Sequence, residues 1–187
     1  DADGLPDLVS SDNENQLTVR YNQGGRTNLL RSVTNFNNAD FQIEYALSEP
    51  DYNQPSRSWL MTKVTTHDAL NGNNGATTTV TEYAYANPRY DRYERTSYGY
   101  EDVVSSNVNP ATASVYRTVE RNYYNSNMLR RGKMRREMTR DGNGNPYIEK
   151  LHNCSYVDYT NGDTLNADTE CPEICYPAVE ATLTHFY

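Results

Sequence analysis

Residues Thr81 to Val104, TEYAYANPRYDRYERTSYGYEDVV, constrain the fold of this chain more than any other stretch. They hold Tyr83, Tyr85, Tyr90, Tyr93, Tyr98 and Tyr100, six of the 17 tyrosines in 187 residues. Successive side chains of a strand point to opposite faces. Thr79, Thr81, Tyr83 and Tyr85 therefore share one side, and Val80, Glu82 and Ala84 take the other. Asn87-Pro88 is expected to break the ladder, because proline donates no amide hydrogen and restricts the residue before it. In this reading Tyr90-Asp91 follows, and a second strand runs from Arg92 to Tyr98. Gly99 interrupts that strand and predicts a bulge, a bend or a close backbone approach. A tyrosine ring packs while its hydroxyl finds a partner or water. Many tyrosines on strands therefore suggest broad sheets that are only partly dry.

The aliphatic content sharpens this picture. Leu, Ile, Val and Phe number 12, 3, 12 and 3, about 16% of the chain. That is below the roughly 20% under which disorder becomes a serious alternative. Abundant Tyr, Thr and Val argue the other way, since disordered chains are poor in aromatic and β-branched residues. The expectation is an all-β protein with little helix: an antiparallel sheet of long hairpins over a thin core, in one domain or slightly more. A net charge of −8 disfavours nucleic acid as a partner. No apolar run approaches the ~20 residues that span a bilayer, so no membrane insertion by this segment is expected. The chain opens on Asp1-Ala2-Asp3-Gly4 without an initiating Met, as a piece of a longer polypeptide would.

Taken in order, Asp1 to Asp7 reads D-A-D-G-L-P-D ahead of Leu8-Val9. Closely spaced carboxylates around a Gly turn supply oxygens for calcium. Asp1, Asp3 and Asp7, with the Leu5 carbonyl, are the candidate calcium ligands, and the competing reading is a plain Asp/Gly/Pro turn. Strands are expected at Leu17 to Tyr21, Leu29 to Val33 and Phe41 to Tyr45. A loop with Pro50 and Pro55 spans Ser48 to Ser58. Trp59 then starts a long hairpin to Tyr85, with Trp59 as a core anchor. It turns through Asp68 to Gly75, where Asn71-Gly72 and Asn74-Gly75 supply positive φ. His67 beside Asp68 reads as a loop histidine, since no Ser or Cys nucleophile motif accompanies it.

Asn107 to Ala111 breaks the chain again, before a strand that alternates from Ala113 to Val119. Met128 to Arg140, MLRRGKMRREMTR, carries six basic residues and one acid. As a strand it puts Arg131, Lys133, Arg135 and Glu137 on one face. Three readings stand for it: a solvated face guarding a strand edge, a phosphate-binding strip, and an amphipathic helix over Met128 to Thr139. Asp141 to Pro146 is a second strong turn. It fails as an EF-hand because position six is Pro146 and position twelve is His152. Strands Tyr147 to Leu151 and Val179 to His185 flank a polar loop from Tyr159 to Pro172. Three cysteines cannot all pair within the chain. Cys171 and Cys175 admit a disulfide, and zinc on His152, Cys154, Cys171 and Cys175 is the sharper alternative.

Three segments together resemble one family. They are D-A-D-G-L-P-D-L-V, Y-A-Y-A-N-P-R-Y-D-R-Y-E-R-T-S-Y-G-Y-E-D-V, and G-K-M-R-R-E-M-T-R-D-G-N-G-N-P-Y. The first is similar to an FG-GAP calcium loop of β-propellers. The second is similar to a strand, a Tyr-Asp pair, a strand and a Gly-aromatic pattern. The third is similar to a degenerate Rhs or YD repeat. This order resembles the middle region of insecticidal toxin complex (Tc) B components and related SpvB and Rhs proteins, loosely over residues 1 to 150. The resemblance implies that residues 1–33 end a propeller-like unit and that residues 34–187 form an Rhs-shell-like or sandwich-like β domain. It further implies a secreted or surface virulence toxin in which this segment is a non-enzymatic scaffold or encapsulating shell. Its partners would be the rest of its own polypeptide and other toxin-complex subunits, with calcium in the intact parent. A rival reading is a calcium-assisted adhesin-like or carbohydrate-binding module, with Trp59 and tyrosines stacking on sugars.

Overall fold

The computed structural model describes residues 6–11, 16–23, 28–69, 78–165 and 175–187. Twelve strands lie in them: β1 (Leu8–Ser11), β2 (Leu17–Arg20), β3 (Ser32–Thr34), β4 (Asp40–Leu47), β5 (Trp59–His67), β6 (Thr78–Asp91), β7 (Thr96–Val108), β8 (Val115–Tyr124), β9 (Lys133–Asp141), β10 (Pro146–Asp158), β11 (Thr164–Leu165) and β12 (Cys175–Phe186). No helix occurs among the described residues. β1 and β2 pair as a separate ribbon. The other ten form one antiparallel sheet in which β3 to β11 follow one another in chain order. β12 returns onto β10, pairing from Ile148↔Phe186 to Asp158↔Cys175. β10 therefore has β12 along one edge, with β9 and then β11 along the other.

Alternation places these strands, but it does not build two dry faces. One register row reads Tyr85, Val103, Arg121, Glu137, Lys150 and Thr184 across β6, β7, β8, β9, β10 and β12. The neighbouring row, on the opposite face, reads Ala84, Val104, Glu120, Met138, Glu149 and His185. Charged ladders thus cross both faces. Arg121 Nε donates to Glu137 Oε2 at 3.0 Å, and Lys150 Nζ to Glu137 Oε1 at 3.2 Å. On the other face Arg136 Nε donates to Glu149 Oε1 at 2.6 Å, and Arg140 Nε to Glu120 Oε1 at 3.0 Å. Cross-strand pairs of this kind stabilise a sheet by roughly 0.2–1 kcal/mol each.

The dry core is small. Buried apolar side chains among the described residues are Val80, Tyr98, Val108, Val119, Met138, Cys154 and Tyr156. Val80 and Val108 are direct cross-strand partners. Most other residues of the large sheet are half-buried or exposed. This is the signature of one layer of sheet.

Several boundaries differ from the sequence expectations. Asn87-Pro88 does not end a strand, because β6 runs on to Asp91. The register with β5 stops at Lys63↔Glu82, so β6 has an open edge beyond it. A missing amide there costs no bond on that edge, and Asn87 absorbs the irregularity at φ 55. The second strand begins at Thr96 rather than Arg92, since Arg92 to Arg95 form the hairpin turn. The expectation at Gly99 holds: φ is 84, and the register shifts where Arg89 faces Gly99 and Tyr90 faces Ser97. Ala113 sits in a turn at φ 54, ahead of β8. Met128 to Gly132 is a turn, with Arg131 N donating to Met128 O at 3.3 Å, and the strand starts at Lys133. No helix forms there. The face of Arg131, Lys133 and Arg135 is exposed, as the solvated reading expects, while Arg136 and Arg140 on the other face pair with acids of β10 and β8. The hairpin of β5 and β6 matches its expectation, and its Asn-Gly turn lies outside the described residues.

Candidate functional site

The side chains with the most elaborate surroundings gather at one end of the large sheet. Four connections meet there: residues 48–58, 92–95, 125–132 and 159–163. Asp91 holds the second, its Oδ1 accepting from Tyr93 N and Glu94 N at 2.8 Å each. Asp51 and Asp158 hold the first and fourth in the same manner. An aspartate that bonds the backbone two residues on is a standard turn former.

Long-range bonds then tie these connections together. Tyr100 Oη donates to Gln54 Oε1 at 2.6 Å, and Gln54 Nε2 donates to Ser48 Oγ at 2.7 Å. The Arg92 guanidinium lies 4.0 Å over the Tyr52 ring and donates to Tyr52 O at 2.8 Å. Asn125 Nδ2 donates to Tyr100 O at 2.7 Å, while Asn125 Oδ1 accepts from Gly132 N at 3.0 Å. Asn127 Nδ2 donates to the Tyr156 hydroxyl at 2.6 Å. Arg130 is buried, with its guanidinium 4.4 Å over the Tyr156 ring and 5.6 Å over Tyr124. Gln54, Asn125, Arg130 and Tyr156 are each under 9% exposed, so these bonds form where losing one leaves a buried polar group unsatisfied.

Tyr98 lies in the same cluster, its hydroxyl donating to Glu94 Oε2 at 2.6 Å. That bond, with burial adding to it, pushes the phenol well above its usual range. Tyr85 packs against Tyr100 with ring centres 5.2 Å apart and planes tilted by 53°, and donates to Met61 O at 2.8 Å. Burial, reinforced by Tyr83 and Tyr100, raises its phenol too. In the ladder, burial works to raise the Glu137 carboxyl, and the bonds from Lys150 and Arg121 outweigh it, leaving the group lowered. Open polar grooves of about 240 and 270 Å³ flank Asn125 and Ser126. The arrangement aims donors and acceptors at one another and positions loops.

The sites expected from sequence are dispersed. Asp1 and Asp3 lie outside the described residues. Asp7 Oδ1 accepts from Asn22 N at 2.9 Å, fastening the chain end of the small ribbon. His67 is the last residue of β5 rather than a loop residue, with Nδ1 2.9 Å from Thr78 Oγ1. His152 Nδ1 lies 3.0 Å from Thr182 Oγ1. Cys154 is a buried free thiol and Cys175 is disulfide-bonded, so Cys175 offers no thiolate to the zinc reading. Cys171 lies outside the described residues. Among the described residues no three His, Cys, Asp or Glu side chains gather to hold a metal ion. Trp59 is half-buried. Sequence reasoning missed Asn125, Asn127 and Arg130, whose partners lie 25 to 29 residues away.

Comparison with known proteins agrees with this architecture. The family model of the insecticide toxin TcdB middle/N-terminal region matches residues 1–132. A solved structure titled TcdB2-TccC3-TEV is similar with a TM-score of 0.63 and 11% identity, covering 86% of this chain and 10% of that one. Those titled TcdB2-TccC3 and TcdB2-TccC3-Cdc42 give TM-scores of 0.58 and 0.57 at 11% and 10% identity, each covering 80% of this chain and 10% of the other. The chain thus spans about a tenth of the length of these solved chains, and at such identity the likeness is one of fold. No curated protein matches the chain significantly.

Proposed function

Because the chain belongs to the insecticide toxin TcdB middle/N-terminal region family, we propose that it is a wall element of a much larger secreted toxin polypeptide. It has no chemistry of its own in this reading and serves as scaffold or encapsulating shell. Its partners are the rest of that polypeptide and companion toxin subunits, as in the TcdB2-TccC3 pairs of the similar structures. The observation that carries the proposal is a sheet of ten strands in one layer, with charged ladders on both faces. A lone globular domain hides one face of its sheet, whereas a wall meets a different environment on each side.

The test uses the full-length polypeptide assembled with its companion subunit. Met138, only 3% exposed in the middle of the sheet, is changed to Asp. Hydrogen exchange confirms that the sheet has loosened. The segment enclosed by the assembly should then become sensitive to protease. Unchanged protection of that segment, with this sheet demonstrably loosened, would rule out the wall.

A further inference from the structure

The braced end of the sheet also displays a row of outward-pointing apolar side chains. Tyr52 is 75% exposed, Tyr93 100%, Met128 54%, Leu129 42% and Tyr159 74%. One or two come from each of the four connections at that end. These connections are two strands apart, about 9.6 Å, so the row is roughly 29 Å long. Three of them repeat one device: Asp51-Tyr52, Asp91-Arg92-Tyr93 and Asp158-Tyr159, each aspartate holding turn amides while the tyrosine projects. The turns at the opposite end around Asn109 and Asp141 use the same capping and carry no tyrosine.

We infer that this rim is a docking surface for another protein segment, one that brings carboxylates beside apolar pockets. Tyr, Met and Arg are the residues enriched where protein partners bury surface. The rim is also pre-organised, since the bonds from Gln54 through Tyr100 to Asn125, and from Asn127 to Tyr156, fix the loops before anything binds. Less ordering is then lost on association. The donor balance defines the partner. Asp51, Asp91, Glu94 and Asp158 already accept bonds within the rim. The guanidiniums of Arg95 and Arg131, beside Tyr93 and Leu129, are exposed and have no partner among the described residues. A matching surface therefore supplies acceptors at those two points. Over residues 49–57, 91–95, 128–131 and 158–163 there are six acids and five arginines. That near balance disfavours an anionic membrane, which selects clusters of basic residues. The inference stands independently of the wall reading.

Hydroxyl-radical footprinting of the full-length polypeptide tests it, with Tyr52, Tyr93, Met128 and Tyr159 read by mass spectrometry. Phe36, fully exposed at the opposite end of the sheet, is the internal reference. The polypeptide is labelled alone, assembled with its companion subunit, and mixed with vesicles of phosphatidylcholine and phosphatidylserine. At least three of the four tips should label five-fold or more slowly in one of the two protein states, relative to their rate after unfolding and to Phe36. The double change Arg95→Glu and Arg131→Glu, which removes no side-chain hydrogen bond or ion pair among the described residues, should restore fast labelling. Fast labelling in both protein states, or protection that appears only with vesicles, would overturn the proposal. Protection that survives the double change would overturn its carboxylate partner.

Discussion

Both ends of the large sheet close their hairpins with the same chemistry. At the end described above Asp51, Asp91 and Asp158 collect turn amides, and at the far end Asn109 and Asp141 do so. The difference lies in what surrounds the turn. At the far end the bonds run within each turn, from Asn109 N to Ser114 O and from Asp141 N to Asn145 O. At the near end they run between connections, from Tyr100 to Gln54 and from Asn127 to Tyr156. Local capping sets the hairpin geometry at either end, and only the long-range bonds give one end a buried polar core. The open ladders between the ends are stabilised by half-buried pairs. Stability should therefore be concentrated at the braced end.

The largest test of that contrast is Tyr156→Ala. It removes a buried ring, the acceptor of Asn127 and the platform under Arg130, and should cost about 3–5 kcal/mol. A value under about 1 kcal/mol in denaturant unfolding would mean that the brace does not hold the end together. Next comes Asn125→Ala, which breaks two bonds of a buried side chain and should cost about 2–3 kcal/mol. Its counterpart in the open ladder, Lys150→Met, breaks one half-buried pair and leaves Glu137 bonded to Arg121, so it should cost below about 1 kcal/mol, less at high salt. Equal losses for these two variants would erase the distinction. Gly99→Val should lower the melting temperature more than Tyr98→Phe. A Cβ at Gly99 meets nothing closer than 3.9 Å, so the cost comes from φ 84, roughly 1–2 kcal/mol for a side chain in that region. Gly142 is the opposite case, because its added Cβ would lie 2.6 Å from Val115 O.

The subtlest effects are those of pH. Glu137 and Glu149 are lowered in the folded chain, Glu137 by Lys150 and Arg121 against burial, Glu149 first by its bond from Arg136. A lowered carboxyl stabilises the fold above its ordinary value of 4.5 and loses that contribution as pH falls through the folded value. Acid should therefore loosen the ladders, and also the turn capped by Asp158, whose carboxyl is lowered by its bonds from Thr160. Tyr98 is raised by Glu94 and by burial, so the fold holds its proton after the unfolded chain has released it near 10.0. That contribution is present below pH 10.0 and falls away as pH rises past it. Alkali should loosen the braced end, and Tyr98→Phe should flatten the alkaline limb of the melting curve while leaving the acid limb in place.

The sequence shows the hairpins clearly because their signals are local. Alternation gives β4, β5, the first part of β6 and the start of β8, Asp141 to Pro146 gives a turn, and Gly99 gives the bulge, but β7 runs from Thr96 to Val108 where the sequence suggests Arg92 to Tyr98. The reading of Asn87-Pro88 failed because a proline is judged against a paired strand, and whether β6 is paired there depends on where β5 ends. The basic run from Met128 to Arg140 is solvated on the face of Arg131, Lys133 and Arg135, as its composition suggests, but its other face was hidden for a similar reason. Arg136 and Arg140 face acids on β10 and β8, and that register cannot be read from one strand. The brace was hidden most deeply, since Gln54 and Tyr100 lie 46 residues apart. One sign was available: Asp beside Tyr recurs at 51, 91 and 158, in alternate connections of a simple meander.

That meander has a consequence for how the polypeptide is made. From β3 to β11 each strand bonds to the one just synthesised, so every step of growth closes a short loop. The ribbon can lengthen hairpin by hairpin as the chain leaves the ribosome, with the last finished strand as template for the next. β12 breaks the rule by reaching back past β11 to β10, and this final step waits until both have emerged.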